Sequence, residues 1–273
     1  MMGKRKEGMA LKRKKLLLTA AVLLVAALLT GALFAGSFGK WCRNIGYYLG
    51  EPTETERRVM EYAKAHGLTF GDYPTSLIEL LEKNPETADF VLGYPLWEDT
   101  GYDLSEYENS PTVPLFMQWD QRWGYERYGS DMIGITGCGP TCLAMVGYYL
   151  TGDPWFTPAN VASFAWDGGY YAAGYGSSWT LISKGGAELG LEVAELPLSK
   201  GRMLAEAADG DPMICAMGPG DFTDAGHYIV LSGVEDGKFR VNDPNSRANS
   251  ERLWSYEEIE DQIRNIWLVS ADD

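Results

Sequence analysis

Two histidines in 273 residues leave little room for histidine-based metal chemistry, and neither stands in a cluster of cysteines at ligand spacing. The pattern implies no cofactor. Four cysteines are too few and too scattered to form a disulfide framework, although spacing alone leaves a Cys42–Cys215 bridge open. No internal repeat or low-complexity tract is present. Basic residues are scarce beyond the N-terminus. The first 50 residues hold nine Lys and Arg and one Glu, which leaves 14 basic against 37 acidic residues, a net of −23, in the remainder. Such a surface excludes nucleic acid as a natural partner and is repelled by anionic lipid headgroups. The acidity favours solubility and names no substrate.

One long apolar run is present. LLLTAAVLLVAALLTGALFAG, residues 16–36, is uncharged and follows Lys4, Arg5, Lys6, Lys12, Arg13, Lys14 and Lys15. Its length suits a bilayer span, and the basic flank predicts that residues 1–15 stay inside as a cytoplasmic tail. A single-pass signal anchor is expected, with the rest of the chain extracytoplasmic on a tether of residues 37–55. A cleaved signal peptide, ending near Leu33-Phe34-Ala35, is the alternative.

The chemistry concentrates in GITGCGPTCLAMVGYYL, residues 134–150. Gly137 and Gly139 permit close approaches, Pro140 suits a first helical turn, and Leu143, Val146 and Leu150 recur at helical spacing up to Gly152. A helix starting near Gly139 or Pro140 would hold Cys138 at its N-terminus, where free N–H groups favour an anion. A small buried hydrophobe is the plain alternative reading of Cys138. Cys142, four residues on, is expected to pack. Cys215 lies in the strand-like PMICAMG.

A thiol nucleophile needs a base. His66 ends a polar helix at Gly67 and reads as a surface residue. His227 opens GHYIVLSG, a run of strand length, and EDGKFRVNDP adds a turn and a second strand. A three-residue loop Glu235-Asp236-Gly237 pairs Val234 with Lys238 and Ile229 with Asp243. His227 and Asp243 then become diagonal neighbours on one face. A two-residue turn would put them on opposite faces. In the first register Asp243 can orient the imidazole and stabilise its protonated form.

Together these residues resemble the C39-like cysteine peptidases of the papain-like superfamily, as found at Gram-positive bacterial surfaces. The resemblance runs from about Tyr73 to Trp267 and rests on VPLFMQWDQRWG, GCGPTCLAMVGYYL, GSSWTLISKGGAELGL, MGPGDFTDAGHYIVLSGVEDG and VNDPNS, in that order. It implies Cys138 as nucleophile, His227 as general base, Asp243 as its orienting partner and Gln118 as the oxyanion-hole donor. Gln121 lies three residues from Gln118 and is the alternative amide. The resemblance also matches TSLIELLEKNPETADFVLGYP to the helical segment that often precedes such a domain.

The organisation follows from punctuation. Helices are expected at Glu54–His66, at Ser76–Lys83 behind a Ser76-x-x-Glu79 capping box, and from Asn84-Pro85 to Gly93. They form a helical lead-in, residues 56–95, before an acidic linker, residues 96–111. Residues 112–273 read as one α+β domain: a nucleophile helix, strands near Val193, Met213, Tyr228 and Phe239, a helix capped by Ser255-x-x-Glu258, and a last strand NIWLV. Within it, FAWDGGYYAAGYGSSW is either a loop covering a sheet edge or a wall of a substrate cleft. The expected activity is an extracytoplasmic thiol peptidase cutting a peptide or isopeptide bond through an acyl-enzyme. The substrate is a peptide or a cell-wall component. An inert surface binding module and a peptidoglycan amide hydrolase of the NlpC/P60 or CHAP kind are the alternatives. Oligomeric state is not legible.

Overall fold

The computed structural model describes residues 51–271. The expectations for the basic tail, the run 16–36 and Cys42 fall outside the described residues. Among those described, no helix is long and apolar enough to cross a membrane. The chain divides into two compact units, one running to Pro74 and the other starting at Thr75.

In the first unit, helix α1 (Glu54–Ala65) is opened by Thr53, whose side chain accepts from Glu56 N while Glu56 reaches back to the Thr53 amide. This reciprocal cap satisfies two of the donors that every helix start leaves free. His66 follows as C-cap, with Nδ1 2.8 Å from Tyr62 O and its ring stacked on Tyr62. Its contacts are those of a helix end.

The second unit begins with α2 (Thr75–Lys83) and α3 (Ala88–Gly93). The expected Ser76 capping box is absent, because α2 starts one residue earlier and the Ser76 hydroxyl donates instead to Asp131 Oδ1 at 3.4 Å. Asn84 does cap the turn Pro85–Thr87, accepting from Glu86 N. The acidic stretch that follows sends Leu104 into the core.

The central helix α4 (Cys138–Thr151) is buried on every side from Gly139 to Tyr148, wider than the stripe read from the sequence, and ends at the left-handed Gly152. Helix α5 (Pro158–Asp167) packs beside it, Phe156 filling the space that a side chain at Gly147 would take. Then come β1 (Leu191–Glu195), α6 (Lys200–Asp209), β2 (Met213–Met217), β3 (His227–Glu235), β4 (Lys238–Asn242), α7 (Arg247–Glu251), β5 (Leu253–Trp254) and β6 (Ile263–Ala271). The strands form one antiparallel sheet in the order β1-β6-β2-β3-β4-β5.

Both faces of this sheet are covered, which explains the unbroken apolar run in β2. Ile214 and Ala216 join Tyr228, Val230 and Trp267 in the cluster that includes α4 and α5. Met213, Cys215 and Met217 join Ile229, Leu231 and Phe239 in the opposite cluster, with Met203 and Ala207 of α6. Burying each such aliphatic or aromatic side chain contributes about 1.5–3 kcal/mol, so the sheet's centre is the most strongly held part of the unit.

The β3–β4 hairpin departs from the expected loop. Glu235 pairs with Lys238, leaving the two-residue turn Asp236-Gly237, and both turn residues have positive φ (52° and 72°). This is a type I′ turn, whose twist matches that of the strands. Continued without interruption it would set Val230 against Asp243. A bulge at Ser232 intervenes: Leu231 pairs with Val241, Gly233 pairs with Arg240, and Val230 meets Asn242. One more step puts Ile229 opposite Asp243, so His227 and Asp243 do share a face. The extra residue lies in the strand instead of the turn.

Deleting Ser232 should therefore be tolerated. The pairs on either side of it are already consecutive once it is gone, and the losses are its hydroxyl contacts to Asn242 Oδ1 (3.0 Å) and Arg240 O (3.5 Å). Deleting Val230 instead sets Tyr228 opposite Asp243 and turns His227 to the other face. The thermal midpoint and the NMR titration of His227 read the difference. Equal damage from both deletions would refute the bulge's role in register.

Candidate active site

Cys138 is the first residue of α4, with Gly137 as N-cap. The helix thus starts one to two residues earlier than expected, and Pro140 occupies its third position. Gly139 is demanded by contact, since a Cβ there would lie 2.7 Å from Ser177 Oγ. Ser177 is itself held, its hydroxyl 2.7 Å from Tyr128 OH and its carbonyl accepting from Tyr228 OH at 3.3 Å. The Cys138 side chain is half-buried. Cys142 and Cys215 are buried free thiols whose pKa burial pushes up. They pack, as expected of Cys142.

His227 begins β3 and is 8% exposed, and Asp243, just past β4, is 1% exposed. His227 Nε2 lies 2.7 Å from Asp243 Oδ1. Cys138 lines the same two cavities as this imidazole and acts on it electrostatically, and with Nε2 engaged by Asp243 the ring nitrogen left for the thiol is Nδ1. Burial disfavours the imidazolium, but the Asp243 carboxylate and Cys138 outweigh it and raise the His227 pKa from 6.5 to about 10. Burial likewise works against the Asp243 anion. The facing His227 charge and the donors around the carboxylate prevail and hold its pKa below the usual value. The three residues expected to act together are brought together.

The residue that sequence reasoning missed is Asn249. Its Nδ2 donates to Asp243 Oδ2 at 2.8 Å, while Asn245 N donates to Oδ1 at 2.8 Å. Helix α7 presents Asn249 and is itself clamped by the lead-in. Glu86 accepts from the Arg247 amide (2.8 Å) and the Ser246 hydroxyl (3.1 Å), and Asn84 Nδ2 donates to Asn245 O at 2.6 Å. The Ser246-x-x-Asn249 spacing of an N-cap was the only local signal.

Gln118 is buried at 3% exposure. Its backbone N donates to Pro244 O at 2.8 Å, and the neighbouring Trp119 Nε1 donates to Asn245 O at 2.9 Å, so the VPLFMQWD segment is laced to the end of the hairpin. The Gln118 Nε2 donates to Gly134 O at 3.0 Å, using one of its two N–H groups, and Oε1 has no partner among the described residues. Gln121 is engaged elsewhere, donating to Asp89 O at 2.9 Å.

Cys138 and His227 stand between two cavities. One, of about 450 Å³, is lined by Gln118, Lys83, Asp221, Phe222 and Asp224 among others. The second, of about 260 Å³, is lined by Tyr175, Trp179, Met217 and Arg264. The glycine- and aromatic-rich stretch lines the second cavity through Tyr175, Ser177 and Trp179. Tyr170 is buried, whereas Tyr175 (89% exposed) and Trp179 (50%) border the cleft. Among the described residues, no group of three His, Cys, Asp or Glu could hold a metal ion.

A family model described as the peptidase C39-like family matches residues 111–272, more than half of the chain. The chain belongs to the C39-like peptidase family. The match spans Gln118, Cys138, His227 and Asp243, and family membership supports a peptidase-like function. It leaves α2 and α3 outside, although Asn84 and Glu86 bond to the segment that carries Asn249. Two solved structures are similar. The peptidase domain of Streptococcus ComA, a bi-functional ABC transporter involved in quorum sensing, is 17% identical with a TM-score of 0.42, covering 59% of this chain and 99% of that one. A Bacillus anthracis protein described as a C39-like peptidase is 15% identical with a TM-score of 0.39, covering 59% and 96%. No curated protein matches.

Proposed function

We propose that this C39-like protein is an extracytoplasmic cysteine peptidase that cuts a peptide or isopeptide bond through an acyl-enzyme on Cys138. The observation that carries the reading is the relay of Cys138, His227 and Asp243, with Nε2 2.7 Å from Oδ1. An imidazolium beside the sulfur stabilises the thiolate, and the thiolate attacks the scissile carbonyl. His227 then gives its proton to the leaving amine as the tetrahedral intermediate collapses. Its deprotonated ring takes a proton from the water that releases the acyl group, restoring the imidazolium and the thiolate. Asp243 holds the ring by Nε2 and keeps the other nitrogen toward the sulfur. The second N–H of Gln118 Nε2 is available to the oxyanion. The apolar run 16–36 behind its basic flank favours anchorage with this unit outside the membrane.

The full chain, purified in detergent, is incubated with a diverse peptide library and with cell-wall muropeptides, and new termini are read by mass spectrometry. Cuts in peptides are expected. Cuts in muropeptides alone would move the activity to wall hydrolysis, and no cuts in either set would leave a binding module. Protease applied to intact cells should remove residues beyond the tether, and full protection of the chain would refute the topology.

A further inference from the structure

The two cavities beside Cys138 differ in charge. The larger one carries the carboxylates of Asp221 and Asp224 against the single ammonium of Lys83. The smaller one has no acidic residue in its wall, and its charged side chain besides His227 is Arg264. Arg264 is exposed, and among the described residues no carboxylate meets its guanidinium. It is nevertheless held in place. Nη1 donates to Asp261 O at 2.7 Å, and the side chain lies across Gly218, where a Cβ would sit 2.4 Å from Nε. Nε and Nη2 donate to no group among the described residues. A positioned arginine with an unspent edge, in a unit rich in acid, stands beside two exposed aromatic rings, Tyr175 and Trp179.

We infer that Arg264 is a specificity residue that reads a carboxylate on the substrate, and that the substrate is a peptide placing an acidic side chain, next to a bulky apolar one, in the arm of Tyr175 and Trp179. A guanidinium fork takes a carboxylate through two parallel bonds, and aromatic walls supply contact area without much ordering cost. The opposite arm repels the same group through Asp221 and Asp224, so charge sets the direction in which the peptide lies across the thiol. This inference rests on Cys138 being the nucleophile.

The test uses that thiol and needs no known substrate. Two reagents differing by one charge, the α-amides of N-iodoacetyl-glutamate and N-iodoacetyl-glutamine, are reacted with the full chain, and Cys138 alkylation rates are measured by mass spectrometry. The acidic reagent should react about ten-fold faster than the neutral one. Arg264→Gln should bring the ratio close to one, Arg264→Glu should invert it, and Lys83→Gln should leave it in place. A ratio unmoved by Arg264→Gln, or moved only by Lys83→Gln, overturns the assignment while leaving the nucleophile standing. If Cys138 reacts with neither reagent faster than a free thiol does, the nucleophile reading fails and takes this one with it.

Discussion

Cys138→Ala should reduce peptide cleavage by at least about 10⁴-fold, the scale on which loss of a covalent nucleophile is felt, while the thermal midpoint stays within a few degrees of native. The side chain is half-buried at the first position of α4. Alanine is a good helix former, and the His227–Asp243 contact does not depend on the sulfur. Gln118→Ala serves as a graded comparison: removing one oxyanion donor costs about 10²–10³-fold in turnover. Cys142→Ala supplies the opposite contrast, because that thiol is fully buried one turn along the helix. It should weaken the fold through a small cavity and spare the chemistry. Turnover surviving Cys138→Ala at even one per cent of native would remove the nucleophile from this position.

Asp243→Asn should lower turnover by about 10²–10⁴-fold, the range for a positioned acid–base group and its orienting partner, and it should also reverse a pH trend in stability. In the native protein the His227 pKa is raised to about 10. The pair's contribution is therefore complete below about pH 6.5 and is lost as the pH rises towards 10. Asp243, with its pKa lowered, contributes stability above the ordinary carboxylate range and loses it as the pH falls through its folded value. Without the carboxylate, burial dominates at His227 and favours the neutral ring. The variant should then lose stability on acidification through the region of pH 6.5 and no longer on alkalinisation. Thermal midpoints from pH 4 to 10 for both proteins decide the matter; parallel curves would mean that the native pair is not ionic.

Much of the site was legible because its signals are local. Glycine beside cysteine, proline within the first turn and Leu143, Val146 and Leu150 at helical spacing identify a helix, and the cysteine near its start follows from chain order alone. The Glu235–Lys238 turn was legible as a turn but not by type. Asp236 at φ 52° accepts the left-handed region beside Gly237, a conformation open to aspartate through its short polar side chain.

The shared face of His227 and Asp243 was reached from the sequence through a turn that the protein does not form. Parity was the correct requirement, and periodicity two makes it strict. Where the extra residue sits is a tertiary decision. β3 pairs with β2 on one side, Met217 against His227, and with β4 on the other. Buried residues on both faces hold the first five positions of β3 in place, so the slack is taken up at Ser232, where β3 reaches the surface.

The sequence by itself determined the nucleophile helix, the two strands that carry base and acid, the acidic surface and the family to which these belong, because each is written in contiguous residues whose spacing and chemistry act locally. Only the tertiary structure decided that Asn249 would hold Asp243, that Glu86 and Asn84 would grip α7 from some 160 residues away in the chain, and that Arg264 would border the cavity beside Cys138. Those relations join side chains whose separation along the chain carries no period. Their proximity comes from burying both faces of one sheet, a condition that no single segment contains.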